Sequence, residues 1–148
     1  MAVNWGDYVG RTFAPTEPYE VSRTKIAEFA TAIGEQSPLC HDPVAARQAG
    51  YPDVIAPPTF AIVIAITSSA QVTHDSGLGL NYARVVHGEQ SFEHARPLHA
   101  GDWVVARSTI EDIRDVGRHL MMTTRTDITT VDGEHVCTAR GTLVERGE

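Results

Sequence analysis

Pro57-Pro58-Thr59-Phe60-Ala61-Ile62-Val63-Ile64-Ala65-Ile66-Thr67-Ser68-Ser69-Ala70-Gln71-Val72-Thr73-His74 is the stretch on which the rest of the chain turns. From Phe60 to Ala70 it is apolar on nearly every face, and its length and proline-led start favour a helix despite Ile62, Val63, Ile64 and Ile66. Proline fits the first helical turn, where an N–H would have no partner anyway. A helix that is apolar all round must be surrounded by protein, so a buried central helix is expected over 57–74. The apolar run is shorter than the roughly 20 residues needed to span a bilayer, so no membrane partner is expected.

Moving outward, the sequence before this helix reads as shorter helices. Ser22 can cap a helix in which Ile26, Phe29, Ala30 and Ile33 recur at helical spacing, with Val21 stapled onto Ile26 and Gly34 as the stop. Asp42, Pro43 and Gly50 frame a second helix over 42–48. The sequence after the central helix has a period of two. Val104, Ala106, Ser108 and Ile110 alternate with Trp103, Val105, Arg107 and Thr109, and Leu120, Met122, Thr124, Thr126 and Ile128 alternate in the same way with Met121, Thr123, Arg125 and Asp127. Asp132-Gly133 marks a hairpin into a strand from His135 to Val144. With a strand over Val85–His94 and an edge strand over Thr12–Glu20, the pattern predicts an α+β domain in which a mostly antiparallel sheet of about five strands covers a helix.

Composition narrows the function classes. The 148 residues, 42% of them hydrophobic, suit one soluble domain. Twelve Lys and Arg stand against nineteen Asp and Glu, a formal charge of -7, and no basic cluster offsets it. Nucleic acid and anionic membranes are therefore not expected partners. Asp7 and its polar neighbours occupy the place of a signal-peptide core, and Cys40 and Cys137 are too few for a disulfide framework, so the cytoplasm is the expected compartment.

Four stretches carry a family resemblance. Phe29-Ala30-Thr31-Ala32-Ile33-Gly34-Glu35-Gln36-Ser37-Pro38-Leu39-Cys40-His41-Asp42 resembles the hydratase motif of MaoC-like hot-dog enzymes, in which an Asp, an Asn-Pro pair and a His lie between a helix and a short second helix. Tyr51-Pro52-Asp53-Val54-Ile55-Ala56-Pro57-Pro58-Thr59-Phe60 is similar to the loop entering the hot-dog helix, while Val85-Val86-His87-Gly88-Glu89-Gln90-Ser91-Phe92 and Arg96-Pro97-Leu98-His99-Ala100-Gly101-Asp102 resemble the strand and turn that follow. The likeness covers nearly the whole chain. It is nearest to the FAS1-like or MaoC-like dehydratase N-terminal branch, which includes accessory subunits of actinobacterial (3R)-hydroxyacyl-carrier-protein dehydratases.

The resemblance implies a hydro-lyase needing no metal or other cofactor. In active members the His removes the proton alpha to a thioester carbonyl, and the Asp with its His handles the water at the beta carbon. A backbone N–H at the start of the buried helix donates to the developing enolate. Carried onto this chain by Pro38 and Asp42, the Asp position falls on Glu35, the Asn on Ser37 and the His on Cys40. All three differ. A cysteine, with an ordinary pKa of roughly 8.5, is a poor base for a weakly acidic C–H. Where active members have His-Gly, this chain has Pro57-Pro58, and Pro58 has no N–H; Thr59 offers one a position later.

His41, one residue beyond the expected base, is the rescue candidate with Glu35 as its partner, against the plainer reading of a loop histidine beside a helix cap. Glu35 and Ser37 either line a site or satisfy the end of the first helix. Cys40 reads more simply as a small buried residue. His87 and Glu89 are expected on one strand face, with no third residue spaced to complete a metal site. Expected substrate contacts are Pro58, Thr59, Phe60, His87 and Gly88, and Ile62, Ile64 and Ile66 divide between core and acyl chain. The expected role is that of the acyl-channel subunit of a (3R)-3-hydroxyacyl-thioester dehydratase or hydratase. It would work as a heterodimer with a catalytic hot-dog chain on an acyl thioester of acyl carrier protein or coenzyme A. The alternatives are a self-sufficient homodimeric enoyl-thioester hydratase using Glu35 and His41, and a non-catalytic acyl-thioester binding protein.

Overall fold

The computed structural model describes residues 3–148. Pro58–Phe60 form a turn of 3-10 helix that leads directly into α4, Ala61–Thr73. This helix lies against one face of a curled antiparallel sheet of five strands: β1 (Tyr19–Glu20), β2 (Val85–His94), β3 (Trp103–Val116), β4 (His119–Thr130) and β5 (His135–Glu145). The strands run in the order β1-β3-β4-β5-β2. The whole is a hot-dog fold, with α4 as the helix around which the sheet curls. Ahead of it come α1 (Arg23–Ala32), α2 (Pro38–His41) and α3 (Pro43–Gln48).

The alternation read from the sequence is the alternation of burial. Val104, Ala106, Ser108 and Ile110 on β3, and Leu120, Met122, Thr124, Thr126 and Ile128 on β4, all face the helix and are buried. Both strands run past the segments read from the sequence, and on β3 a bulge hides the continuation. The β3–β4 register shifts between Ile110 and Asp112, so the inward parity changes and Ile113, an odd-numbered residue, becomes the next buried one. The strands then join through Gly117, whose φ of 65° suits a tight hairpin. The Asp132-Gly133 hairpin forms as read, with Gly133 at φ 97°.

Three expectations change. The edge strand over 12–20 shrinks to Tyr19–Glu20 plus an isolated bridge from Thr12 to Thr109. Pro15 and Pro18 lack ladder donors, so the segment touches β3 intermittently, through Phe13 N–H to Ser108 C=O and Thr16 N–H to Ala106 C=O. The central helix is not wrapped on every side. Phe60 and Val72 are fully buried and Ile64 is 2% exposed, but Ile66 is 59% exposed, because one sheet covers only the face around which it curls. Finally, α2 is an added turn of helix, capped by Ser37 Oγ accepting from Leu39 N–H at 3.3 Å.

The core has two parts along α4. Phe60, Ile64, Ile26, Leu98, Ile128 and Val136 form one, and Val72, Leu78, Ile110 and Met122 belong to the other. Between them lies a chain of buried hydroxyls: Ser68 Oγ is 2.7 Å from Ser108 Oγ, which is 2.8 Å from Thr126 Oγ1. On the outer face, Glu93, Arg140, Glu111, Arg125 and Asp127 form a row of ion pairs.

Candidate functional site

The structure separates the residues singled out from the sequence into three places. The first is the loop from α1 to α3. Helix α1 is capped by Ser22 Oγ, which accepts from Lys25 N–H, and stops at Gly34, where φ of 77° turns the chain out. Glu35 Oε1 then accepts the Ser37 N–H at 3.0 Å. Cys40 is 5% exposed, and burial, followed by the Glu35 charge, pushes its thiol up and so disfavours the thiolate. His41 is exposed and its Nε2 donates to the Glu35 carbonyl oxygen at 2.9 Å. Glu35 and His41 do line one shallow cavity with Thr31, Gly34 and Gln36. The contact joining them is to the backbone, while the carboxylate is engaged by Ser37.

The second place is the entrance to α4. Pro58 and Thr59 are exposed on the 3-10 turn, and His94 Nε2 donates to the Pro58 carbonyl at 2.9 Å. Phe60 turns the other way. Its ring is fully buried edge-on to Phe29, with centroids 5.4 Å apart, and serves the core.

The third place is a groove of about 260 Å³ between α4 and the sheet. The helix contributes Ile62, Ala65, Ile66, Ser69, Ala70 and Thr73, at the i, i+3, i+4 spacing of one helical stripe. Opposite them lie His87 and Gln90 of β2, Thr124 and Thr126 of β4, and Ala139, Gly141 and Leu143 of β5. The isoleucines therefore divide in two, with Ile62 and Ile66 in the groove and Ile64 in the core. His87 reaches the groove, but Glu89 does not share its face. The β2–β5 register shifts there, His87 pairing with Leu143 and Glu89 with Thr142, so that the two side chains point to opposite sides of the sheet. Gly88 is the unpaired residue of this bulge, and a Cβ on it would lie 3.3 Å from Val144 Cγ2. His87 and His94 stand at opposite ends of β2, roughly 20 Å apart at about 3.3 Å per residue. Among the described residues no three His, Cys, Asp or Glu side chains are grouped to hold a metal ion.

Sequence reading did not identify Gln90, Thr124, Thr126 or Gly141 as groove residues. Gly141 carried a usable sign, since a glycine inside a strand often marks a close approach.

Outside the groove, ion pairs hold the connecting loops. Asp53 accepts from Arg23 Nε at 3.0 Å and Nη2 at 2.8 Å. The Arg23 hydrogen bond, opposed by partial burial, holds its carboxyl down at about 2. Asp102, 5% exposed, takes two hydrogen bonds of 2.9 Å from Arg96; burial pushes its carboxyl up, but these bonds and the His99 N–H outweigh burial and hold it low.

A family model and solved structures of similar shape agree on the family. The family model described as "FAS1-like, dehydratase domain region" matches residues 7–139. A "UPF0336 protein" of Saccharopolyspora erythraea is 51% identical over 95% of this chain and 90% of its own, and one of Thermobifida fusca is 49% identical over 100% and 97%. A solved "MaoC-like dehydratase" superposes with a TM-score of 0.86 at 30% identity over 95% of this chain, which spans 42% of that longer one. The C-terminally truncated HadBC (3R-hydroxyacyl-ACP dehydratase) complex of Mycobacterium tuberculosis gives a TM-score of 0.80 at 28% identity, covering 93% of this chain and 97% of that one. The chain thus belongs to the FAS1-like dehydratase family of hot-dog proteins.

Proposed function

We propose that this chain is the acyl-binding subunit of a (3R)-3-hydroxyacyl-thioester dehydratase, and that a related hot-dog chain supplies the catalytic Asp and His. One contrast carries the reading. The groove along α4 is formed, with Ile62, Ala65, Ile66, Ala70, Ala139 and Leu143 among polar groups such as Thr124, Thr126 and Gln90, whereas the loop that holds the acid-base pair in active relatives is occupied with its own hydrogen bonds. Glu35 binds the Ser37 N–H, His41 binds a carbonyl, and the thiol at the histidine position is buried. A base must reach the proton it removes, and general acid-base groups typically contribute about a hundredfold to ten-thousandfold. That the HadBC neighbour is a two-chain complex supports an assembly of this kind.

The substrate would be an acyl thioester of a carrier protein or of coenzyme A, its chain lying between α4 and the sheet. The test is hydration of a crotonyl thioester by the purified chain, alone and with the hot-dog chain that co-purifies from the native host. The isolated chain should be at least about a hundredfold slower than the pair, and His41→Ala should change the pair by less than about tenfold, or about 1.4 kcal/mol of barrier. Turnover by the isolated chain that His41→Ala abolishes would instead favour a self-sufficient enzyme built on Glu35 and His41.

A further inference from the structure

Gly141 lies in the middle of β5, directly opposite Gln90 on one side and Thr124 on the other. All three line the groove. Its φ is not in the left-handed region, so backbone freedom does not explain a glycine in a strand interior, where it weakens the ladder. Space does explain it. A Cβ at Gly141 would lie 2.8 Å from Gln90 Oε1 and 3.5 Å from His87 Nε2. The Gln90 side chain thus folds back over bare β5 backbone and rests in the notch that the missing methyl leaves, and its NH2 donates to the Ser91 carbonyl at 3.3 Å. The result is a polar bar across the floor of a groove whose helical wall carries Ile62, Ala65, Ile66 and Ala70 besides Ser69 and Thr73.

We propose that Gln90, seated on Gly141, is the specificity-determining residue of the groove, fixing its cross-section at this row and so the length of acyl chain that it accepts. This inference rests on the acyl-binding reading above. With the amide down, the groove is narrowed at the row of Gly141, between Ala139 and Leu143. A chain reaching past that row must displace an amide that the notch and the Ser91 carbonyl both hold.

The experiment is titration of the full chain with butanoyl-pantetheine and dodecanoyl-pantetheine, followed through the amide resonances of Ala139 and Leu143. Gln90→Ala should tighten dodecanoyl binding by about tenfold while leaving butanoyl binding within about twofold, since pocket methylenes discriminate on this scale. Gly141→Ala should lift the amide into the groove and weaken both probes by about fivefold. The displaced group is the end of a flexible side chain, so the fold should survive. Gly141→Ala combined with Gln90→Ala should then recover both. If the two probes shift the groove resonances but keep the same affinity ratio in parent and variants, the groove takes acyl chains and Gln90 does not select among them. If neither probe shifts those resonances in any of the proteins, the acyl-binding reading itself falls, and this inference with it.

Discussion

At the scale of single residues, the charged side chains that matter most for the fold lie away from the groove. Asp102 is almost wholly buried and holds Arg96, which also donates to Glu134 at 3.0 Å, so one guanidinium ties the turn after β2 to the β4–β5 hairpin. With Asp102→Asn the guanidinium keeps Glu134 but loses its buried carboxylate, and the new amide NH2 is set against it. Asp102→Asn should therefore cost about 3 kcal/mol in denaturant unfolding, with a melting temperature lower by about 6–12 °C. Asp53 differs in being a lighter, more exposed contact, and Asp53→Asn should cost about 1 kcal/mol near neutral pH. Its folded carboxyl titrates at about 2, below the ordinary 3.8. The stability it contributes is thus fully present above the ordinary value and is lost as pH falls towards the folded one. The gap in unfolding free energy between parent and Asp53→Asn should narrow as the pH drops from about 5 to about 2; a gap that stays constant would show that the carboxylate charge is not what Arg23 holds.

At the scale of elements, α4 meets two environments two residues apart. Ile64 is 2% exposed in the core and Ile66 is 59% exposed at the groove. Ile64→Asp puts a carboxylate among apolar side chains, costs several kcal/mol, and should give an unfolded or aggregated chain. Ile66→Asp should fold, melt within a few degrees of the parent, and lose acyl-thioester binding by at least about tenfold. Equal damage from both would mean that the helix is enclosed on all sides. The contrast also marks what could be read from the chain alone. Burial on β3 and β4 was legible because each inward residue repeats every second position, and the caps at Ser22, Asp42 and Gly34 because each uses one side chain or one backbone angle. The bulges at Glu111 and Gly88 were not legible, since an extra residue changes the phase of a strand without leaving a compositional mark. The placement of Glu89 failed for that reason. Gln90 and Gly141 became visible as a pair only once β2 lay beside β5, about fifty positions further along.

At the scale of the whole molecule, the sheet leaves one long edge. β1 is two residues long, while β2 is ten residues long and, among the described residues, pairs only with β5, which leaves the N–H and C=O groups of its other side without strand partners there. The outer face, with its ion-pair row, is suited to water. A second hot-dog chain is therefore expected to join along β2, close to Ile66, Tyr82 and Val86, which are 59%, 65% and 40% exposed. Val86→Lys should weaken that association by at least about tenfold in sedimentation velocity and leave the fold of each chain intact, because edge lysines oppose strand pairing. An unchanged sedimentation coefficient would place the contact elsewhere. The two halves of the core are held on either side of the Ser68, Ser108 and Thr126 hydroxyls, and these have a property that neither half shares. Three hydroxyl hydrogens serve two links, so the row can point either way with the same heavy-atom positions. In one sense Thr126, a groove residue, has a hydrogen to spare, and in the other it offers only lone pairs while Ser68 keeps the spare hydrogen. The floor of the groove is thus a reversible dipole: its polarity can follow whichever guest arrives, and no atom heavier than hydrogen has to move.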